Sequence, residues 1–171
     1  EGLVSGAMSA PTADPELENV AWDLTHLADG PDAVEAQLEE SRTRSEAFAE
    51  AHRGRLAELD GPGLAAAMRE LGEIEELVGR AYSYAALSFS TDVADPPRGA
   101  LLMKVQEQAT QIQTLLVFWE LEWAALDDAR AEELLAHEDL DFARHHLRSA
   151  RRYRPYLLSE PEEKILTEKH V

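Results

Sequence analysis

Residues 97–126 read PRGALLMKVQEQATQIQTLLVFWELEWAAL, and the spacing of the apolar side chains in this stretch decides the fold. Apolar residues recur there at every third or fourth position: Leu102, Val105, Ala109, Ile112, Leu116, Trp119, Trp123 and Leu126. Only a helix places residues with this spacing on one face. The second half of the stretch adds further apolar residues, namely Leu115, Val117, Phe118 and Leu121. A helix that is apolar on most sides is surrounded by other helices, so we expect this one to be central.

The composition of the whole chain indicates an all-α domain. The chain has 171 residues, 44% of them hydrophobic, which is enough for one domain with a sizeable core. Ala, Glu, Leu and Arg dominate while β-branched residues are scarce. This bias favours helices over strands.

The net charge of −18 limits the classes of partner that the chain can bind. Such an acidic surface repels the phosphates of nucleic acids and the headgroups of anionic lipids. No stretch approaches the ~18 uninterrupted apolar residues of a membrane span, and the N-terminus lacks the features of a signal peptide. The absence of cysteine excludes disulfides and thiolate–zinc sites, and it fits a reducing compartment. We therefore expect a cytoplasmic protein with no nucleic-acid or membrane partner.

A second long helix is predicted at about residues 64–91. It repeats the same spacing of apolar residues: Leu64, Ala67, Leu71, Ile74, Val78, Ala81, Ala85 and Phe89. Asp95-Pro96-Pro97 ends this helix and begins the next, because proline is tolerated in a first helical turn but not in a helix interior. The helices at about 64–91 and 97–126 should therefore form a long antiparallel hairpin, on which a helical bundle is built.

Shorter elements precede the hairpin. Residues 1–20 are small and polar, and we expect them to be a flexible lead-in to a helical domain over 21–171. Trp22, Leu24 and Leu27 are expected to fasten the next segment to the domain. An outer helix is predicted over 31–53. Its inward face would consist of Val34, Leu38, Ser41, Ser45, Phe48 and His52.

Shorter helices also follow the hairpin. Asp127 is a candidate cap for a helix over 129–136, and Asp139 or Asp141 for a helix over 142–154. Ser159 and Glu162 have the spacing of a capping box that opens a last helix. Because this last helix reaches Val171 without a capping residue, we expect the chain to be truncated there.

The histidines do not have the spacing of a zinc site. His137-Glu138 begins the His-Glu-x-x-His pattern of metalloproteases, but Asp141 occupies the position of the second histidine. His145 and His146 are adjacent and diverge by about 100° around a helix. We therefore assign no catalytic, cofactor-binding or metal-binding residue within this chain.

Two other clusters each admit two interpretations. The arginines at 144, 148, 151, 152 and 154 could bind an anion or a peptide carboxylate, or they could form salt bridges with glutamates of neighbouring helices. The aromatic residues Phe118, Trp119 and Trp123 could line a ligand groove or belong to the core. We favour the intramolecular interpretation in both cases.

Four pairs of adjacent glutamates fall on predicted solvent-exposed faces. They are Glu39-Glu40, Glu75-Glu76, Glu132-Glu133 and Glu162-Glu163. Adjacent side chains on a helix point apart, so we assign none of these pairs to acid–base catalysis.

Three stretches in order resemble the N-terminal helical region of the oligoendopeptidase F family of zinc metallopeptidases. The first is WDLT at 22–25, the second is 82–126, and the third is YRPYLLSEPEEKIL at 153–166. Within the second stretch the resemblance rests on Tyr84, Phe89, Thr91-Asp92-x-x-Asp95-Pro96, Lys104, Glu107 and Glu120-Leu121-Glu122.

This resemblance implies a metalloendopeptidase as the full-length protein. In the family, zinc is held by His-Glu-x-x-His and a downstream glutamate in the C-terminal part, which lies outside this chain. The resemblance implies that the present segment is inactive alone, packs against that catalytic part, and forms one wall of a channel for oligopeptide substrates. The alternative is a non-catalytic helical protein-interaction module, in which the hairpin binds a partner helix.

Overall fold

The computed structural model describes residues 22–169, and within that range it contains six α-helices and no strand. The helices are α1 (Pro31–His52), α2 (Gly61–Thr91), α3 (Pro96–Ala125), α4 (Asp128–Leu135), α5 (Arg144–Arg152) and α6 (Glu160–Lys169). Single 3₁₀ turns lie at Leu56–Glu58, Glu138–Leu140 and Arg154–Tyr156. The all-α prediction is confirmed. The predicted lead-in over 1–20 lies outside the described residues.

The predicted hairpin is formed by α2 and α3, which pack against each other. α2 begins at Gly61, earlier than predicted, because the Asp60 carboxylate accepts a hydrogen bond from the Gly63 N–H at 2.8 Å and caps the first turn. In the turn between the helices, Arg98 donates to the Thr91 hydroxyl and to the Ser88 carbonyl. Arg98 also forms a salt bridge with Asp95 at 3.0 Å.

α1 packs against both helices of the hairpin and completes a three-helix bundle. Val34, Leu38 and Phe48 are fully buried, as predicted, whereas His52 is partly exposed. Ser41 and Ser45 are also fully buried. Their hydroxyls donate to the carbonyls of Ile74 and Ser41, respectively, at 3.3 and 2.8 Å. Two buried serines whose hydroxyls are satisfied by carbonyls let α1 and α2 approach closely without an unpaired polar group.

α3 is the central helix, with α1, α2, α5 and α6 packed against it. Trp119 meets Phe48 edge-on at a centroid distance of 5.0 Å and is nearly perpendicular to Phe118. The Trp123 indole N–H donates to the Leu147 carbonyl at 2.8 Å. The three aromatic residues are buried, so the core interpretation of this set is confirmed.

Replacing Trp119 with alanine is expected to lower the free energy of unfolding by ~3–5 kcal/mol, because a large buried side chain leaves a cavity. Urea denaturation measures this loss. Trp22→Ala is the matched control, since Trp22 is 63% exposed and its removal should change stability by only ~0.5 kcal/mol or less. Equal stability of the two variants would show that α3 does not carry the core.

The segment before α1 is held only partly in the way predicted. Trp22 is exposed and does not fasten the chain, whereas Leu24 and Leu27 are half-buried and Ala28 is buried. Arg80 of α2 donates to the carbonyls of His26 and Leu27 at 2.9 and 3.2 Å, and Gln37 of α1 donates to Leu27 at 2.8 Å. Backbone carbonyls, which apolar patterning does not reveal, therefore fix this segment.

The predicted caps of the C-terminal helices are partly confirmed. The Asp127 carboxylate accepts from the Ala129 and Arg130 N–H groups, as predicted for α4. The prediction for Asp139 or Asp141 was wrong, because α5 begins at Arg144 after Ala143. The residues between form a 3₁₀ turn, which is capped by His137 through Nδ1 and the Asp139 N–H at 3.3 Å.

The capping box before α6 is half formed. Glu162 accepts from the Ser159 N–H at 2.9 Å, as such a box requires. The Ser159 hydroxyl donates to the same carboxylate at 2.5 Å. These hydrogen bonds lower the pKa of Glu162 below its ordinary value.

Gly61 is required by the close approach of α2 to the turn at His137. A Cβ at Gly61 would lie 2.6 Å from the Cβ of His137 and 2.7 Å from its Cδ2. These atoms lie near the backbone and have little freedom to move. His137 is therefore both a packing partner and a cap.

Gly61→Ala is expected to lower the free energy of unfolding by ~1–3 kcal/mol through overpacking. Gly72→Ala should instead raise it by up to ~1 kcal/mol, because a Cβ at Gly72 meets open space and alanine favours the helix. Thermal unfolding distinguishes the two variants. His137→Gly, which also removes the Cβ, should recover part of the loss when added to Gly61→Ala, and a fully additive double variant would contradict the contact.

Candidate functional site

A groove with a volume of about 530 Å³ lies between α2 and α3. Of the described residues that line it, none belongs to α1, so it lies on the side of the hairpin that α1 leaves uncovered. Its apolar lining includes Val78, Tyr82, Ala109 and Leu116. These positions recur at helical spacing, which places them on the facing sides of the two helices.

The groove exists because small residues stand where the two helices face each other. Gly79 lines it, and a Cβ added there would meet nothing within 4 Å. Ala109 contributes only a methyl group on the opposite wall. For this reason Ala109 and Leu116, which belong to the predicted core stripe of α3, remain partly exposed.

A second cavity, of about 420 Å³, lies between α3 and α5. It is lined by Glu120, His146, Ser149, Tyr153 and other residues. Glu120 is one helical turn beyond Leu116, which lines the first groove. The two cavities therefore follow one another along α3, and we call the first of them, between α2 and α3, the α2–α3 groove.

Glu75 interacts electrostatically with residues of both cavities. Partial burial at the groove wall raises the pKa of its carboxyl group above the ordinary value. The negative charge of Glu120 acts in the same direction, and His146 opposes it. The Glu75 side chain still reaches solvent, so it lies at the edge of the groove and not inside the core.

The histidines singled out in the sequence do not form a metal site in the described structure. His137 caps a turn, while His145 and His146 are exposed on α5. Within residues 22–169, no three His, Cys, Asp or Glu side chains are grouped so that they could hold a metal ion. These residues therefore do not fit zinc.

Four arginines of the basic cluster bond within the molecule, as we favoured, whereas the fifth, Arg152, is exposed. Arg144 donates to the carbonyls of Leu135 and His137, at the C-terminal end of α4. Arg151 donates to the carbonyls of Trp123 and Leu126, at the C-terminal end of α3.

Acidic partners of the cluster complete this network. Arg148 pairs with Glu132 at 2.9 Å, and Arg151 and Arg154 both pair with Asp128. Backbone carbonyls at helix ends are partners that the sequence analysis missed. Unpaired carbonyls of a last helical turn are regular acceptors for arginine.

The acidic pairs lie on exposed faces, as predicted, except that Glu163 is half-buried. Glu76, which follows Glu75, does not line the groove and lies 3.9 Å from Arg80. The sequence contained one indication of the groove: Gly79 and Tyr82 lie on the same side of α2, and Ala109 of α3 is also small. These residues indicate a groove only when it is known that they face each other across the two helices.

Several residues that carried the family resemblance have structural roles. The Asp92 carboxylate accepts from the Ala94 N–H at 3.1 Å and shapes the turn between α2 and α3. Lys104 of α3 pairs with Glu35 of α1 at 2.6 Å. Both lie on a separate cavity that Tyr84 also lines.

Glu75→Gln is expected to raise the free energy of unfolding at neutral pH and to change it less at pH 4. Because the pKa of Glu75 is raised in the folded state, ionisation of this group reduces stability as the pH rises through its pKa. Glutamine cannot ionise and removes that loss. Thermal unfolding across this pH range measures the effect.

Glu76→Gln is the control for this prediction, since it removes the same charge from the next residue, outside the groove. An equal gain in both variants would mean that only the high net charge was relieved. A gain for Glu75→Gln that is as large at pH 4 as at neutral pH would also contradict the assignment.

No helix in the described part of the chain has both the length and the apolarity that a membrane span requires.

A family model for the N-terminal region of oligopeptidase F matches residues 122–171 of this chain. This range contains the stretch at 153–166, so the resemblance is confirmed there, while the stretch at 22–25 and most of 82–126 lie outside it. Comparisons with curated proteins and with solved structures gave no match.

Proposed function

We propose that this chain is the N-terminal helical domain of a zinc-dependent oligoendopeptidase of the oligopeptidase F family. The observation that carries the proposal is the family match over 122–171. In the structure this range runs from the last turn of α3 through α4, α5 and α6. The matched part packs against the hairpin, with α5 and α6 lying against α3, which supports the proposal that both belong to one domain.

In this proposal the domain forms part of the wall of a channel for short peptides, and the α2–α3 groove faces that channel. Two helices of about thirty residues packed along each other make a stiff wall that does not adapt to a folded protein. An extended peptide can lie against such a wall and insert single side chains into the groove.

The catalytic chemistry is proposed to reside in a C-terminal part of the same polypeptide, which would be the main partner of this domain. Since the described residues do not fit zinc, we place both the metal and the catalytic residues outside this segment. We expect the whole protein to be cytoplasmic, with oligopeptides as substrates and without nucleic-acid or membrane partners.

The coding sequence downstream of Val171 tests the proposal directly. We expect it to continue for a few hundred codons and to contain His-Glu-x-x-His. The longer protein should hydrolyse internally quenched peptides but not folded proteins. Chelation should abolish this hydrolysis, and added zinc should restore it.

A variant with glutamine in place of the glutamate of that motif is the control, since it should be folded but inactive. A native stop codon near Val171, together with concentration-dependent association, would favour the interaction module instead. A long downstream sequence without the motif would contradict the proposal.

A further inference from the structure

We propose that the α2–α3 groove selects oligopeptides that carry a lysine or arginine side chain beside an apolar residue. Glu75 and Glu120 would bind the cation, and Val78, Tyr82 and Leu116 would contact the apolar neighbour. The choice of a peptide as the occupant rests on the function proposed above. The chemical preference rests on the groove itself.

The first argument is the state of the two carboxylates. Among the described residues, neither Glu75 nor Glu120 takes part in a salt bridge, whereas Glu132, Glu133 and Glu160 pair with arginines at 2.5–2.9 Å. No lysine or arginine is found among the described residues that line the two cavities. Glu75 is attracted by His146 and repelled by Glu120, and a cation from outside the chain would be a further partner for both carboxylates beside this apolar surface.

The other charged and titratable groups at this place are few. His146 of α5 faces Glu75, and Tyr82 and Tyr153 lie on the two cavity walls. A tyrosine ring also attracts cations across its face. Tyr82 is 44% exposed and Tyr153 66%, so both rings are accessible to a ligand.

The second argument is the size and shape of the groove. Its volume of about 530 Å³ falls within the ~300–1,000 Å³ that is usual for clefts that bind small ligands. Such a volume holds a few side chains and not a long helix. Gly79 leaves the floor open, so the occupant can approach the backbone of α2.

The test compares two peptides that differ in one side chain. Both are acetylated and amidated, so that terminal charges do not compete, and read Phe-Ala-Arg-Ala-Phe or Phe-Ala-Gln-Ala-Phe. Calorimetry with the 171-residue chain at low salt should show about fivefold tighter binding of the arginine peptide, the size expected for a partly exposed ion pair. High salt should reduce this preference.

Two kinds of variant locate the binding site. Glu75→Gln combined with Glu120→Gln should abolish the preference for arginine, whereas Glu76→Gln combined with Glu50→Gln removes equal charge elsewhere and should leave it intact. Gly79→Phe should fill the groove and prevent the binding of both peptides. Gly72→Phe is its control, because a Cβ at Gly72 on the same helix also meets open space but does not line the groove.

Equal binding of the two peptides to the unaltered chain, or binding unaffected by Gly79→Phe, would overturn the inference. Binding that requires a long helical peptide and is absent with these short ones would overturn it as well, in favour of a protein partner. Because binding is measured without hydrolysis, absence of peptidase activity would count against the proposed function alone. An active peptidase without arginine preference would count against this inference alone.

Discussion

The structure depends on the need to enclose α3. This helix carries apolar side chains around most of its circumference, and the largest of them, including the adjacent aromatic pair Phe118 and Trp119, are buried away from water. One neighbour cannot cover such a surface. α1 and α2 therefore pack against it on some sides, while α5 and α6 pack against other parts.

Specific polar contacts then determine where the covering helices lie. Arg53, just after α1, stacks on the Phe118 ring at 4.3 Å, donates to the Leu115 carbonyl and pairs with Glu160 of α6. Arg151 joins the end of α5 to the end of α3 in a similar way. Apolar burial supplies most of the stability, but it does not specify the orientation of one helix relative to another. Hydrogen bonds from arginines to helix-end carbonyls and to carboxylates require a definite geometry, so they fix that orientation.

The α2–α3 groove is the place where this enclosure remains incomplete. Gly79 and Ala109 leave a space that larger residues would have filled, and an apolar surface stays open beside Glu75 and Glu120. This open groove is the part of the wall that we connect with peptides in the proposed function.

The sequence by itself determined the all-α class, the hairpin at 64–91 and 97–126, the burial of the aromatic set and the resemblance that the family match supports over 122–171. These features are local, since helical periodicity and turn residues are read within one segment. Only the tertiary structure decided that His137 and not an aspartate caps the turn before α5, that Arg80 holds the chain before α1, and that Glu75 differs from its neighbour Glu76. The last two depend on atoms from elements that are distant in sequence, whereas the His137 cap is a local contact with the Asp139 N–H. The groove between α2 and α3, in particular, depends on small residues in both helices, so it cannot be predicted from either segment alone.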